Sequence, residues 1–247
     1  MNSFFRESNL TAKIILLCRS DLFERIPYPN KNKVKQDSSF SFAWHHESVI
    51  PQESALIRIA NIRTQLKYPS VHDLFAQFMP SDYEGRSIHR TLMNAARHTP
   101  RDFLQLLKSI QHVCSGSMVG PGDIQNGIKR YSIEYFLPEI KDELTGYLPQ
   151  DHIDMVFTLF SQLRRKHFTL SDVQAVVDRT TSFQGIDIMN AMRTLFECSA
   201  IGHMYSVGSS DNYQYSYKYR NRNMAFNASD RITIHRGLWK ALNNTDA

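Results

Sequence analysis

The sequence predicts an α/β segment that is followed by helices and then by an α+β domain. A continuous apolar run, Lys13–Cys18, is typical of a strand that is buried on both faces of a sheet. Helical patterns then dominate residues 51–199. Short alternating patterns beyond residue 200 indicate strands near the end of the chain.

Composition narrows the class of protein. The chain has 247 residues, a formal charge of +5, 42% hydrophobic and 21% charged residues, as globular proteins do. The longest apolar run, Ile14–Cys18, is far short of the roughly 18 residues that a membrane span needs, and no secretory signal is visible. The 3 cysteines lie far apart, which excludes a disulfide framework and suits the cytoplasm. We therefore predict a cytoplasmic protein without membrane contact.

Two strands are predicted near the start of the chain. Lys13–Cys18 ends in a polar cluster that contains Arg19 and Asp21, a basic loop covers 30–35, and Ser38–Trp44 alternates as a strand does. Ligands of open α/β sheets bind outside the carboxyl ends of strands. Arg19 and Asp21 are therefore candidate ligand-binding residues, although a salt-bridged turn explains them as well.

A strong helix start lies in the middle of the chain. Thr99 is suited to cap a helix, Pro100 to the first helical position and Asp102 to the first turn. Arg101 opposes the helix dipole there, at a cost of ~0.3–1 kcal/mol. A residue placed against local preference is a pointer to function, and an ordinary surface arginine is the alternative. The glycine-rich stretch at 115–122 predicts a linker.

The second half predicts a winged-helix pattern, in which helices are followed by a two-stranded wing. The predicted helices cover 123–145, 150–166, 169–178 and 186–199, and the predicted strands cover 203–207, 213–220 and 231–235.

The wing carries the candidate nucleic-acid residues. Tyrosines alternate along Tyr213–Tyr219, beside Lys218, Arg220 and Arg222, and aromatic and basic side chains together stack and hold bases. Packing of the aromatic face on the helices is the alternative. The outward residues of the predicted helix 186–199 are nearly neutral, which disfavours a DNA-reading helix.

No complete catalytic or metal-binding motif is present. Gly122 and Gly127 have the glycine spacing of a phosphate-binding P-loop, but the Lys-Ser/Thr pair and the preceding strand are missing. His45, His46 and Glu47 are adjacent on a predicted strand or loop, so their side chains do not share one ion easily. We therefore predict no catalytic residues, no metal site and no cofactor for the chain alone.

Several segments together resemble the C-terminal half of a prokaryotic P-loop ATPase family, close in plan to STAND and AAA+ switch ATPases. The resemblance covers most of the chain. It is carried by KIILLCRSDLFERI (13–26), NKVKQD (32–37), HTPRDFLQLL (98–107) and the patterns YKYRNRN and RITIHRGLWKAL within 217–242.

The resemblance implies a fold class and domain boundaries. It implies an α/β remnant of a P-loop ATPase sheet plus a helical lid, followed by a winged-helix (α+β) domain. The sheet remnant would cover 1–68, the lid 69–114, the linker 115–122 and the winged helix 123–247.

The resemblance also implies nucleotide-sensing residues. Arg19 and Asp21 would face the γ-phosphate from the sensor-1 strand, and Arg101 would match the sensor-2-like arginine of the lid. The Walker A and Walker B motifs of the family are absent. We therefore expect a truncated gene product, a separately encoded half or a decayed copy. Alone it should hydrolyse no ATP, because positioning and metal neutralisation supply phosphoryl-transfer catalysis.

The implied partner is an N-terminal P-loop half or a full-length ATPase copy, and self-association is compatible with such a plan. ATP and Mg would be the cofactors of the completed ATPase, in a regulatory or defence role. The alternative hypothesis is a stand-alone winged-helix module that binds nucleic acid or protein. Salt-dependent DNA binding would favour it.

Overall fold

The computed structural model describes residues 7–9, 11–12, 14–18, 23, 26–42, 44, 50–183, 185–207 and 213–244. Contacts divide the chain into two compact units, Met1–Phe42 and Ala43–Ala247.

The first unit differs from the sequence prediction at its apolar run. Residues 14–18 form no strand, and the side chains of Ile15, Leu16 and Leu17 are 82%, 84% and 88% exposed. The strand predicted at Lys13–Cys18 is therefore wrong for the residues that the structure describes. An apolar run becomes a strand only when a neighbour pairs with its backbone, and no described residue of this unit does so.

The rest of this unit also departs from expectation. The basic segment predicted as a loop forms helix α1, Lys31–Asp37, where the N–H of Ser38 closes the last turn on the carbonyl of Val34. The second predicted strand is absent from the described residues 38–42. Phe40 and Phe42 are exposed there and meet edge to face, with ring centroids 5.0 Å apart.

Capped helices build the first part of the second unit. The elements are a 3-10 turn at Pro51–Glu53, α2 at Ala55–Lys67, α3 at Leu74–Phe78, a hairpin of β1 (Asp82–Tyr83) and β2 (Arg86–Ser87), α4 at Ile88–Ala95 and α5 at Pro100–Val113. The predicted start of α5 is confirmed, because the hydroxyl of Thr99 accepts the N–H of Asp102 at 3.1 Å. Ser54, Asp73 and Ser87 cap the other helices in the same way.

A continuous helical segment follows the predicted linker. Helix α6, Pro121–Tyr131, passes through a π-helical turn, Ser132–Phe136, into α7, Leu137–Leu144. Pro138 accounts for the wider turn, since it donates no N–H and its ring would meet the carbonyl four residues earlier in a regular helix.

The last part of the unit combines helices with a four-stranded antiparallel sheet. It contains α8 at Gln150–Leu163, β3 at His167–Phe168, α9 at Leu170–Arg179, a 3-10 turn at Thr181–Phe183, α10 at Ile188–Glu197, β4 at Ile201–Ser206, β5 at Tyr213–Ser216, β6 at Arg231–Ile234 and a 3-10 turn at Arg236–Leu238. The strand order is β3-β6-β4-β5.

This sheet is wider than the predicted two-stranded wing. Strand β6 pairs with β3 on one side and with β4 on the other. Strand β4 in turn lies between β6 and β5, so that His203 has Ile232 on one side and Ser216 on the other. Strand β5 ends at Ser216 rather than at the predicted Arg220, because Tyr217 turns into the core and is buried. The elements follow the predicted order, the turn at 208–212 lies outside the described residues, and the winged-helix assignment stays a prediction.

One hydrophobic core connects both sides of the predicted linker. Buried side chains from elements between Leu56 and Leu242 form a single cluster. Helices α5 and α6, which lie on either side of residues 115–122, pack closely on each other. Because the lid and the winged-helix domain would share this core, the core does not mark a boundary between them. The predicted boundaries stay predictions. Among the described residues, no helix is both long and apolar enough to cross a lipid bilayer.

Gly127 makes the close approach of α5 and α6 possible. A Cβ at this position would lie 2.5 Å from Cγ1 and 2.6 Å from Cα of Ile110. The second glycine of the P-loop-like spacing thus has a packing role. At Gly122, in the same helix, a Cβ would meet no atom within 4 Å.

Gly127→Ala is expected to destabilise the protein by about 1–3 kcal/mol, because the backbone of Ile110 has to move to accept the methyl group. Urea unfolding followed by circular dichroism measures the change. Gly122→Ala is the matched control and is expected to be neutral or stabilising by up to about 1 kcal/mol. Equal effects of the two substitutions would contradict the packing role of Gly127.

Candidate functional site

A cavity of about 610 Å³ lies in the second unit, between α2, α4 and strand β5. Its cationic wall consists of Arg58, Arg90, Arg220 and Arg236, with His98 beside them. Its aromatic wall is formed by Trp44, Tyr213, Tyr215 and Tyr217. We call this space the arginine cavity.

The elements that carry the arginines are distant in sequence. Arg58 lies in the first turns of α2, and Arg90 lies in the first turn of α4, where its N–H is bound by the hydroxyl of Ser87. Arg220 follows β5 in a turn, and Arg236 comes two residues after the end of β6. Helical and sheet segments therefore contribute cations to the same space.

Arg220 braces the two walls of the cavity. Its guanidinium donates to Oδ1 of Asn94 at 3.1 Å, to the hydroxyl of Tyr219 at 3.3 Å and to the carbonyl of Tyr215 at 3.4 Å. It also lies 5.6 Å from the ring centroids of Tyr217 and Tyr219. These contacts tie the segment after β5 to α4.

Arg236 is held by aromatic rings. Its guanidinium lies 5.1 Å from the ring centroid of Trp239 and 5.4 Å from that of Tyr215. Burial, and next the neighbouring charge of Arg86, lower the pKa of Arg236. A cation in this position is stabilised by an anion that enters the cavity.

The cationic wall has little internal neutralisation. No ion pair between described residues joins Arg58, Arg90 or Arg236 to a carboxylate. Among the described residues that line the cavity, Glu53 is the one acidic residue. The wall thus offers an excess of positive charge to a ligand.

This combination suits a particular ligand chemistry. Guanidinium groups bind phosphate and carboxylate oxygens in a fork geometry, and tyrosine and tryptophan rings stack on planar rings. The volume falls within the range of small-molecule pockets, roughly 300–1,000 Å³. The arginine cavity is therefore suited to an anionic ligand that carries a planar ring. Among the described residues, no group of His, Cys, Asp and Glu is arranged to hold a metal ion.

Arg101, the predicted sensor-2-like arginine, lies elsewhere. Its side chain is 68% exposed and forms an ion pair with Glu139 at 2.9 Å. Its guanidinium also lies 5.7 Å from the ring centroid of Tyr135. Arg101 does not line the arginine cavity. Arg19 and Asp21, predicted to face the γ-phosphate, lie outside the described residues, as do the histidines at 45–46.

The predicted nucleic-acid residues differ in their contacts and exposure. Lys218 donates to the carbonyl of Met224 at 2.7 Å and pairs with Glu197 at 3.1 Å. Arg220 braces the cavity, whereas Arg222 is exposed on the surface. Lys218 and Arg220 thus both make internal contacts, and the role predicted for the three residues stays a prediction.

The tyrosine run divides between two environments. Tyr213, Tyr215 and Tyr217 all line the cavity, but Tyr217 is buried and stacks almost parallel on Tyr219, with centroids 5.6 Å apart. The alternation ends where β5 ends. Internal packing of an aromatic face, the alternative to base stacking, describes Tyr217 and Tyr219.

Sequence reasoning missed Arg58, Arg90 and Arg236. These residues form no motif, because they are brought together from three separate parts of the chain. One local signal was available, since Arg90 and Asn94 lie four positions apart on the same face of α4.

Two buried histidines lie close to the sheet. His235 is fully buried, and its Nδ1 accepts the N–H of Gly237 at 3.0 Å. Burial, reinforced by the charge of Arg97, holds the pKa of His235 well below its usual value. Burial also lowers the pKa of His203, against the opposing effect of Asp230, whose carboxylate is 3.6 Å away.

Comparisons of this chain with protein-family models, with curated proteins and with solved structures found no match.

The buried histidines predict a dependence of stability on pH. Because their pKa values are lower in the folded state, the unfolded chain binds more protons as the pH falls. The free energy of unfolding is therefore expected to stay nearly constant above about pH 6.5 and to decrease at lower pH. Chemical denaturation from about pH 8 to about pH 5 measures it.

His235→Asn tests the contribution of His235. The asparagine oxygen is positioned to accept the N–H of Gly237 and does not titrate, so the slope is expected to decrease by up to about 1.4 kcal/mol per pH unit. The exposed residue His112 serves as the control through His112→Asn. An unchanged slope in His235→Asn, or an equal change in the control, would contradict the assignment.

Proposed function

We propose that this chain is the sensor, lid and winged-helix portion of a P-loop switch ATPase, and that the arginine cavity detects the phosphate groups of a nucleotide. The observation that carries the proposal is the convergence of Arg58, Arg90 and Arg236 without a carboxylate partner among the described residues. The resemblance of the sequence to such ATPases supports it.

The arrangement supports a switch because the arginines come from a helical segment and from a sheet segment. Arg58 and Arg90 belong to helices α2 and α4, whereas Arg236 belongs to the segment after β6. A polyanion that contacts both segments stabilises the arrangement in which they lie together, and its loss removes that stabilisation. A ligand shifts a conformational equilibrium by such a difference in contacts.

The proposal changes the role of Arg101. The resemblance implies that Arg101 senses the nucleotide, but its guanidinium is exposed and paired with Glu139. Arg90 and Arg236 are better placed to contact phosphate in the cavity. The γ-phosphate role of Arg19 and Asp21 remains a proposal that rests on the resemblance alone. Both residues lie outside the described part of the chain.

The first unit supports association with a P-loop core. Ile15, Leu16, Leu17 and Phe40 are each more than 80% exposed, and burying such a side chain stabilises an assembly by about 1.5–3 kcal/mol. We propose that an ATPase core with Walker A, Walker B and Mg provides the covering surface. The chain alone is then not expected to hydrolyse ATP.

A stand-alone nucleic-acid module is the alternative. It relied on Lys218, Arg220 and Arg222, and the internal contacts of Lys218 and Arg220 leave it with less support. The same binding experiment distinguishes the two hypotheses.

Isothermal titration calorimetry of the full chain with tripolyphosphate, ATP and adenosine tests the proposal. We expect tripolyphosphate and ATP to bind, and Arg236→Gln and Arg90→Gln each to weaken binding by about 10-fold or more. A hydrogen bond to a charged group contributes ~1.5–3 kcal/mol, and 1.4 kcal/mol is tenfold in affinity. Arg130→Gln, which removes an exposed pair with Glu134 outside the cavity, is the matched control.

The contrary outcomes are distinct. Binding of adenosine without tripolyphosphate, or equal losses in the control, would refute the anion site. Binding of single-stranded DNA with a steep salt dependence that is unaffected by Arg236→Gln would favour the alternative. Hydrolysis of ATP by the purified chain would contradict the assignment as the sensor portion.

A further inference from the structure

A short buried connection joins the arginine cavity to a second set of charged residues. Helix α4 ends at Ala95 and α5 begins at Pro100. Between them, Ala96, Arg97 and His98 are all buried, with exposures of 0%, 8% and 5%. Buried connections are uncommon because their polar groups need partners, so the conformation of this one depends on the residues that contact it.

The side chains of the adjacent residues Arg97 and His98 contact different parts of the protein. His98 lines the arginine cavity, and its ring lies 5.1 Å from that of Tyr219. Arg97 donates from Nε to Asp102 at 3.0 Å and from Nη1 to Glu143 at 2.7 Å. One peptide unit thus separates a cavity residue from a buried ion-pair network.

The backbone at this point is unusual. His98 has a φ of 54°, in the left-handed region that residues with a side chain rarely adopt. Non-glycine residues persist there only where the surrounding structure determines them, and they concentrate at ligand-binding and switch regions.

The network reaches the π-helical turn. The hydroxyl of Tyr135 donates to Oδ1 of Asp102 at 2.7 Å, and Asp102 is 2% exposed. The guanidinium of Arg97 also lies 5.3 Å from the ring centroid of Phe136. Tyr135 and Phe136 both belong to the π-helical turn, and such turns occur frequently at functional sites.

The energetic balance of this network favours a role other than stability. Buried ion pairs lose hydration, and well-packed apolar residues often replace them without loss of stability. Removal of one partner, however, leaves a buried charge without compensation. The carboxylate of Asp102 therefore holds Arg97 and Tyr135 in fixed positions relative to each other.

We propose that Arg97 is a positioning residue that couples occupancy of the arginine cavity to the conformation of the π-helical turn, through Asp102 and Tyr135. The inference rests on the proposed function, because it requires an anionic ligand in the cavity. A ligand that contacts the wall at His98 displaces the connection at 96–99. The displacement changes how Arg97 is shared between Asp102 and Glu143, and the turn responds through Tyr135.

Arg101 provides a matched comparison. It lies over the ring of the same Tyr135, but its side chain is exposed and its ion pair with Glu139 is on the surface. Exposed pairs contribute little. If coupling passes through the buried network, loss of Arg101 leaves it intact.

Hydrogen exchange of the full chain, with and without saturating tripolyphosphate, tests the coupling. In the wild type, we expect exchange of the amides at 132–137 to slow by about 5-fold or more on binding, the lower range of allosteric coupling. Tyr135→Phe removes one hydroxyl and is expected to bind tripolyphosphate but to lose this slowing. Arg101→Ala, the control, is expected to keep both. Arg97→Lys is expected to lose the slowing and to bind more weakly.

The outcomes separate the two proposals. If the wild type binds no tripolyphosphate, both the proposed function and the coupling are overturned. If it binds but exchange at 132–137 is unchanged, or if Tyr135→Phe retains the slowing, only the coupling is overturned. Loss of the slowing in Arg101→Ala would assign the coupling to the exposed pair. Thermal unfolding of each variant establishes that it is folded.

Discussion

Arg97 forms the contact on which the arrangement of the second unit depends. Its guanidinium joins the start of α5 at Asp102 to the end of α7 at Glu143. Since both its own side chain and that of Asp102 are almost fully buried, each charge requires the other. The hydroxyl of Tyr135 completes the coordination of the carboxylate. The helices on both sides of residues 115–122 are thereby fixed relative to each other by polar contacts as well as by the core.

The arginine cavity begins one residue away from this contact, at His98. With Arg97 directed toward the carboxylates, His98 lines the cavity and Asn94 accepts a hydrogen bond from Arg220. That hydrogen bond brings the segment after β5 against α4. The cationic residues of the helical and sheet segments face a common space. A modest net charge of +5 is compatible with a strongly cationic site, because the arginines are concentrated in space and not along the chain.

The two units differ in whether apolar segments of the sequence are buried in the structure. In the second unit, the apolar faces of α5, α8 and α10 are buried in one core, whereas Ile62 and Leu66 on the apolar face expected for α2 are 46% and 82% exposed. In the first unit, Ile15, Leu16 and Leu17 have the apolarity of a buried strand and are exposed. An apolar pattern indicates that a segment is stabilised when its side chains are buried away from water. The pattern does not indicate which surface buries the segment. For Ile15, Leu16 and Leu17, we propose that the surface belongs to an ATPase core.

The sequence by itself determined the local structure of the second unit. Thr99 and Pro100 marked the start of α5, and the order of the helices and of β4, β5 and β6 after residue 150 follows from periodicity, because capping and amphipathicity act between residues a few positions apart. The two-residue strand β3 was not predicted. Only the tertiary structure decided that β6 lies between β3 and β4, that Arg220 faces α4, and that Arg58, Arg90 and Arg236 share one cavity. These arrangements join residues far apart in sequence, and the free energy that selects them comes from packing and charge compensation across the folded chain.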